Sequence, residues 1–174
     1  QIFFLKLPFS VSLEVVMIRW GVISTANIAK NQVIPAILES KNSILHSIAS
    51  RDSEKAEILC KQFAVSRAYG SYEELLNCTE VDAIYIPLPT SQHVEWSIKC
   101  LEAKKNVLCE KPIALRASEI ESLMEAEAKS NCILSEAFMV YYHPQWEKVH
   151  DLISEGRIGK LKYAQGPFTY FNKD

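Results

Sequence analysis

The chain has 174 residues, is 48% hydrophobic and 23% charged, and carries a formal charge of −2. That composition fits a globular chain of one domain, or of one domain and part of another. A near-zero charge without any basic run gives no electrostatic case for nucleic acid as a partner. Residues 1–16, QIFFLKLPFSVSLEVV, are apolar but interrupted by Lys6, Pro8 and Glu14. They fall short of the ~20 apolar residues of a membrane span, so no membrane partner is expected. They also lack the basic flank and small-residue cleavage site of a signal peptide. Met17 then opens a clean strand pattern. Residues 1–16 therefore read as a non-native or disordered extension, with an arm packing on a partner as the alternative.

From Ile18 onward the pattern alternates between strands and helices. Ile18–Ser24 reads as a strand and Ala26–Ser40 as a helix that Pro35 should end or kink. Ser43–Ser50 is a second strand, followed by a helix with Asp52 as N-cap and Ala56, Leu59, Cys60 and Phe63 on one face. Arg67–Gly70 is a short third strand, and Ser71 with Glu74 caps a helix through Leu76. Val81–Leu88 is nearly all apolar, as a strand covered on both faces should be. Ser91–Ala103 is a helix with Val94, Ile98 and Leu101 facing inward, and Asn106–Glu110 is the fifth strand. Ser118 with Glu121 forms a capping box for a helix to Ser130, and Cys132–Phe138 is the sixth strand. The alternation predicts an α/β fold with a Rossmann-type, doubly wound parallel sheet over residues 17–138. After Phe138 the pattern changes. His143-Pro144 leads into a helix carrying Trp146, Val149, Leu152 and Ile153, ended by Gly156, and Lys160–Phe171 reads as a long strand. A lone strand cannot bury itself, so 139–174 read as the incomplete start of a second α/β domain. Cysteines 60, 78, 100, 109 and 132 are odd in number and lack CxxC spacing. They read as reduced, mostly buried thiols of a cytoplasmic protein, with no metal site.

The residues that carry chemistry fall at strand ends. The first strand-to-helix turn is Gly21-Val22-Ile23-Ser24-Thr25-Ala26-Asn27-Ile28-Ala29. A dinucleotide fingerprint would place glycines at 24, 26 and 29, where this chain has Ser, Ala and Ala. Small side chains permit close approach of a pyrophosphate, and without glycine the turn should avoid positive φ at those sites. A ligand-free turn of small residues is the other reading. The second strand ends Ala49-Ser50-Arg51-Asp52. A hydroxyl and a guanidinium suit the 2′-phosphate of NADP better than the ribose of NAD. Asp52 offers a carboxylate to a ribose, although its place before a helix favours capping. Pro87 and Pro89 stiffen the turn Pro87-Leu88-Pro89-Thr90, and His93 sits in the next helix turn, suited to a hydrogen bond with that loop more than to proton transfer. Glu110-Lys111-Pro112 ends the fifth strand, where Lys111 is either a solvated turn residue or a proton-transfer group.

Taken together, IRWGVISTANIA (18–29), ASRD (49–52), IPLPTSQHVEW (86–96), NVLCEKP (106–112) and EAFMVYYHPQW (136–146) resemble the glucose-fructose oxidoreductase, inositol dehydrogenase and MocA-type oxidoreductase family. The first and third are similar to its NADP-dependent branch of dihydrodiol and D-xylose dehydrogenases. The resemblance implies an NADP(H)-dependent oxidoreductase of sugars, polyols or dihydrodiols, with full-length relatives forming homo-oligomers. It implies that Ser24, Thr25, Ala26, Asn27 and Ile28 line the pyrophosphate turn. Ser50 and Arg51 would hold the 2′-phosphate, and Leu88, Pro89, Thr90 and His93 would border the phosphates and nicotinamide ribose. Glu110 would meet the nicotinamide end, Lys111 would be the catalytic lysine, and Pro112 would follow it through a cis bond. Tyr141, where many relatives carry Arg, and His143 would face substrate. Relatives run on for roughly another domain's length, so a fragment of reduced or no activity is expected. A non-catalytic NADP-binding regulator and an NAD-using glycosidase relative are the competing readings.

Overall fold

The structure, a computed structural model, describes residues 16–167, 169 and 171. The extension expected at the N-terminus falls, through residue 15, outside the described residues. The chain divides into two compact units between Ala137 and Phe138.

The first unit holds six strands: β1 (Ile18–Ile23), β2 (Ser43–Ala49), β3 (Arg67–Tyr69), β4 (Ala83–Ile86), β5 (Asn106–Glu110) and β6 (Leu134–Ala137). All pairings are parallel, in the order β3-β2-β1-β4-β5-β6. The chain builds outward from β1 through β3, returns to place β4 beside β1, and builds outward the other way. Loops leaving β1 and β4 therefore diverge, opening the crevice in which such sheets bind ligands. The connecting helices are α1 (Ile34–Glu39), α2 (Ser53–Gln62), α3 (Tyr72–Leu76), α4 (His93–Glu102) and α5 (Ala117–Ser130).

Strand periodicity sorts the core. Ile23, Ile84 and Ile86 pack with Leu75 and Leu101, while Val22 and Tyr85 pack with Ala29, Ile34 and Ile48. Alternate residues of β1 and β4 thus face opposite sides of the sheet. All four β4 residues are buried, as the apolar run predicts. Gly21 lets α3 seat against β1: a Cβ there would lie 2.8 Å from Leu75 Cδ2 and 2.9 Å from Ile84 Cδ1.

Three expectations need correction, and one resolves between its two alternatives. Pro35, expected to end or kink its helix, does not end it. A π-turn, Ala29–Val33, precedes α1, and the Ile34 N–H donates five residues back to the Ala29 carbonyl. The widened turn accommodates a proline ring that would otherwise press on the carbonyl four residues earlier. The buried face of α4 is His93, Trp96, Ser97, Cys100 and Leu101, with Val94 and Ile98 only half-buried. Two polar residues in that stripe rotated it away from the apolar count. At α5 the capping carboxylate is Glu119 instead of Glu121, accepting from the Leu115 and Arg116 N–H groups at 2.9 and 3.0 Å. No strand forms among the described residues of 160–171. A strand needs a ladder partner, and none is present there among the described residues.

The second unit contains a 3-10 turn, Met139–Tyr142, and α6, Pro144–Ser154. Helix α6 closes on Gly156 at φ +69, whose N–H donates to Ile153 while that of Arg157 donates to Leu152, each at 3.0 Å. Among the described residues, no helix is long and apolar enough to cross a membrane.

An ion pair ties β1 to the entry of β4. Arg19 donates to Asp82 through Nε at 2.9 Å and Nη2 at 2.8 Å, and its backbone N–H adds a third bond at 2.8 Å. The Arg19 hydrogen bond holds the Asp82 carboxyl below its ordinary 3.8. A depressed folded value means that this stabilisation is present above the unfolded value and is lost as pH falls through the folded one. Asp82→Asn is therefore expected to lower Tm at neutral pH and to flatten the fall of Tm in the acid range below about pH 4, as thermal melts across that range would show.

Candidate functional site

Four turns leave the C-terminal edge of the sheet. The first, after β1, is short and poor in side-chain bulk. Ser24, Thr25, Ala26 and Ile28 are half-buried, Asn27 is exposed and opens the helix, and Ala29 is fully buried against the sheet. Ser24 has φ +128, contrary to the expectation that the turn avoids positive φ. Two bonds hold it there. Its N–H donates to the Ala49 carbonyl at 2.9 Å, and its hydroxyl accepts the Ala26 N–H at 3.1 Å. The geometry of the first fingerprint glycine is thus kept by a serine, at a cost of about 1–3 kcal/mol. The N–H groups at a helix start following such a turn favour an anion.

The second turn, after β2, carries Ser50, Arg51 and Asp52. Ser50 is buried, and its hydroxyl accepts the Asp52 N–H at 3.2 Å. Arg51 is exposed. Asp52 caps α2, accepting the Lys55 N–H at 3.2 Å and pairing with Lys55 Nζ at 3.1 Å. These bonds, the side-chain contact with Lys55 foremost, lower its pKa. The capping role weighed for Asp52 is the one it plays.

The third and fourth turns are stitched to each other. After β4, Pro87 and Leu88 are buried, Pro89 is exposed and Thr90 is half-buried, opening a 3-10 turn, Thr90–Gln92. His93, 1% exposed, follows. Its Nε2 lies 2.7 Å from the Leu88 carbonyl oxygen and its Nδ1 lies 2.7 Å from that of Pro112. A ring N–H donates to one carbonyl or the other according to tautomer. After β5, the Lys111-Pro112 bond is cis, and the Lys111 and Pro112 side chains are exposed. The next N–H, of Ile113, donates to Glu136 Oε1 of β6 at 2.8 Å. Glu110 is held from two sides, by the Tyr85 hydroxyl at 2.7 Å and by the Lys111 N–H at 3.2 Å. Burial, and then Glu110, push the Tyr85 phenol far above its ordinary value, so it acts as a fixed donor.

The structure thus brings Ser24–Ile28, Ser50, Arg51, Leu88–Thr90, His93 and Glu110–Pro112 to one edge of one sheet. Tyr141 and His143 belong to the second unit. Tyr141 is exposed and stacks edge-on with Tyr142 at 5.3 Å, and His143 Nδ1 accepts the Gln145 N–H at 3.1 Å as the N-cap of α6. Sequence reasoning missed Tyr85 and Glu136. A tyrosine within the apolar run Ile84-Tyr85-Ile86 was the available signal, because a buried phenol needs a partner.

Ser24 gives a direct test of the first turn. Ser24→Gly should raise Tm by relieving the backbone, and Ser24→Val should lower stability by about 1–3 kcal/mol. Thermal and urea denaturation of the two variants beside the parent would rank them.

Known proteins of this architecture sharpen the picture. A family profile described as "Oxidoreductase family, NAD-binding Rossmann fold" matches residues 18–138. An uncharacterized oxidoreductase of Rhizobium meliloti is 42% identical over 158 residues, covering 91% of this chain and 47% of its own length. A trans-1,2-dihydrobenzene-1,2-diol dehydrogenase of Xenopus laevis is 34% identical, covering 86% and 46%. A 3-ketoreductase from Actinomadura kijaniata, solved with TDP-benzene and NADP, superposes with a TM-score of 0.75 at 36% identity, covering 80% of this chain and 44% of that one. The chain spans about half the length of the curated relatives it matches. With the strand order, the stitched edge and these likenesses in agreement, the chain belongs to the Gfo/Idh/MocA oxidoreductase family with its NAD-binding Rossmann fold.

Proposed function

We propose that residues 17–138 form the NADP(H)-binding part of an oxidoreductase acting on the CH–OH or carbonyl group of a sugar, polyol or dihydrodiol. The observation that carries the cofactor choice is the division of labour after β2. Asp52, the acid able to select the ribose of NAD, is turned to Lys55, whereas Arg51 stands exposed beside it. A guanidinium there suits a 2′-phosphate. The 3-ketoreductase solved with NADP supports the same choice. The small turn Ser24–Ile28 fits a pyrophosphate, since its side chains leave backbone N–H groups and a helix start accessible. Leu88, Pro89, Thr90 and His93 would border the phosphates and nicotinamide ribose.

When bound, the nicotinamide would supply or accept the hydride. Lys111 would hold the accompanying proton, giving it to the substrate oxygen in reduction and taking it in oxidation. Glu110, fixed by Tyr85, would stand at the nicotinamide end and orient the lysine turn. His93 would set the distance between the Leu88 and Pro112 turns. Tyr141 and His143 are assigned to substrate on the family resemblance alone, as is homo-oligomeric assembly. All five cysteines are free and four are buried, which supports a reducing, cytoplasmic setting. Residues 139–174 would begin the substrate and oligomerisation domain.

Two measurements test these assignments. Fluorescence titration of Arg51→Ala should show NADPH binding weakened about tenfold or more, the loss of one charge-assisted phosphate contact, with NADH binding unchanged. An unaltered preference for NADPH would remove the role given to Arg51. Lys111→Ala should retain NADPH binding and lose roughly 10²–10⁴-fold in NADP-dependent turnover over a panel of aldoses, polyols and dihydrodiols. Full turnover in that variant would remove Lys111 from the chemistry.

A further inference from the structure

At the opposite end of the sheet, a second cluster lies outside everything described above. His46 of β2 and Cys78 and Glu80 of the loop entering β4 each offer one ligand atom, all within 4.8 Å of one another. We propose that His46, Cys78 and Glu80 form a zinc-class divalent-cation site at the N-terminal side of the sheet, distinct from the dinucleotide edge.

Four observations carry it. First, the donor set is thiolate, imidazole and carboxylate, a combination that suits Zn²⁺ and leaves a fourth position for water. Second, His46 Nδ1 is buried without a hydrogen-bond partner, although buried imidazole nitrogens ordinarily find one. Third, the loop is built to stay put. Lys105, itself buried, donates from Nζ to the carbonyls of Cys78 and Val81 at 2.7 Å each, and Asn106 Nδ2 donates to the Asp82 carbonyl at 3.0 Å. Fourth, Glu80 is exposed while Cys78 is buried, which gives an ion a way in and a thiol shielded from bulk water.

The cations nearby are already engaged: Arg67 Nη1 pairs with Glu80 Oε2 at 2.5 Å, Arg19 pairs with Asp82, and Lys105 is bonded to the Cys78 and Val81 carbonyls. Zinc would displace the Tyr69 contact at Cys78 and share Glu80 with Arg67. Ligand atoms around tetrahedral zinc sit about 3.3–3.8 Å apart, from bonds of roughly 2.0–2.3 Å. Loading therefore draws the three side chains together by no more than about 1.5 Å. The Cys78 S–H bond breaks as the S–Zn bond forms, and the proton is released to solvent.

The test is a titration of the whole chain with Co²⁺ and with Zn²⁺, without dinucleotide. One equivalent of Co²⁺ should produce a thiolate-to-cobalt charge-transfer band that Zn²⁺ displaces. Cys78→Ala should abolish the band. His46→Gln and Glu80→Gln, which remove no buried apolar group, should each weaken zinc binding by more than about tenfold, while NADPH titration stays at the parent value. Absence of the band in the parent overturns the proposal. So does a band that survives Cys78→Ala, or, should that variant not fold, zinc binding at parental strength in both glutamine variants.

Discussion

The C-terminal edge of the sheet hangs on one buried imidazole. Two loops leave adjacent strands β4 and β5, and each ends in a carbonyl that no sheet partner can satisfy. His93 stands between them, with Nε2 2.7 Å from the Leu88 carbonyl and Nδ1 2.7 Å from that of Pro112, and its neutral ring, with a single N–H, donates to one of the two. That bond, with the ring packed against the second carbonyl, fixes where the loops stand relative to each other. That spacing governs Lys111, which sits one residue before Pro112 on a turn whose other side is anchored by Glu136. Since α4 begins at His93, the imidazole is also held by the first turn of a helix that next buries Trp96 and Ser97.

The other end of the same strand pair uses the same device with a different residue. Lys105 is only 6% exposed, yet its ammonium finds the carbonyls of Cys78 and Val81. Burial lowers its pKa, and two carbonyl acceptors compensate for the lost water. The β4–β5 pair is therefore closed at its base by a lysine and at its tip by a histidine. Between them Tyr85 bridges to Glu110. These three polar contacts tie the ends of the two strands together and make the central strands a platform for the turns at their tips.

Much of this was legible in the sequence because strands buried on both faces announce themselves. Ala83–Ile86 is apolar throughout, and β2 and β3 are followed by turn residues and a capping signal, Asp52 and Ser71. Those signals are local, so they could be read without knowing the fold. The failures share a cause. Glu119 replaced Glu121 as the cap of α5 because the helix starts two residues earlier than the Ser118 signal suggests. The α4 face was misplaced because His93 and Ser97 are polar yet buried, His93 against the Pro112 carbonyl, distant in sequence. The strand expected over 160–171 rested on composition alone, without a partner to pair with. The clearest failure is Ser24. Positive φ there is imposed by pairing with Ala49 and by the adjoining turn, whereas residue type argues against it.

The division of the chain separates the cofactor question from the catalytic one. Both core clusters lie within the first unit, from Trp20 to Ala137, and every turn assigned to the dinucleotide leaves a strand of that unit's sheet. Its rigidity is internal. By contrast, no residue of α6 is buried, and Trp146 is 48% exposed. An isolated helix of this length gains little from propensity and depends on packing of its apolar stripe. Dinucleotide affinity should thus be a property of the first unit's platform. Tyr141, His143 and α6 belong to the second unit. Changes at Arg51 or Ser24 act on the first unit, and changes along the α6 stripe act on the second.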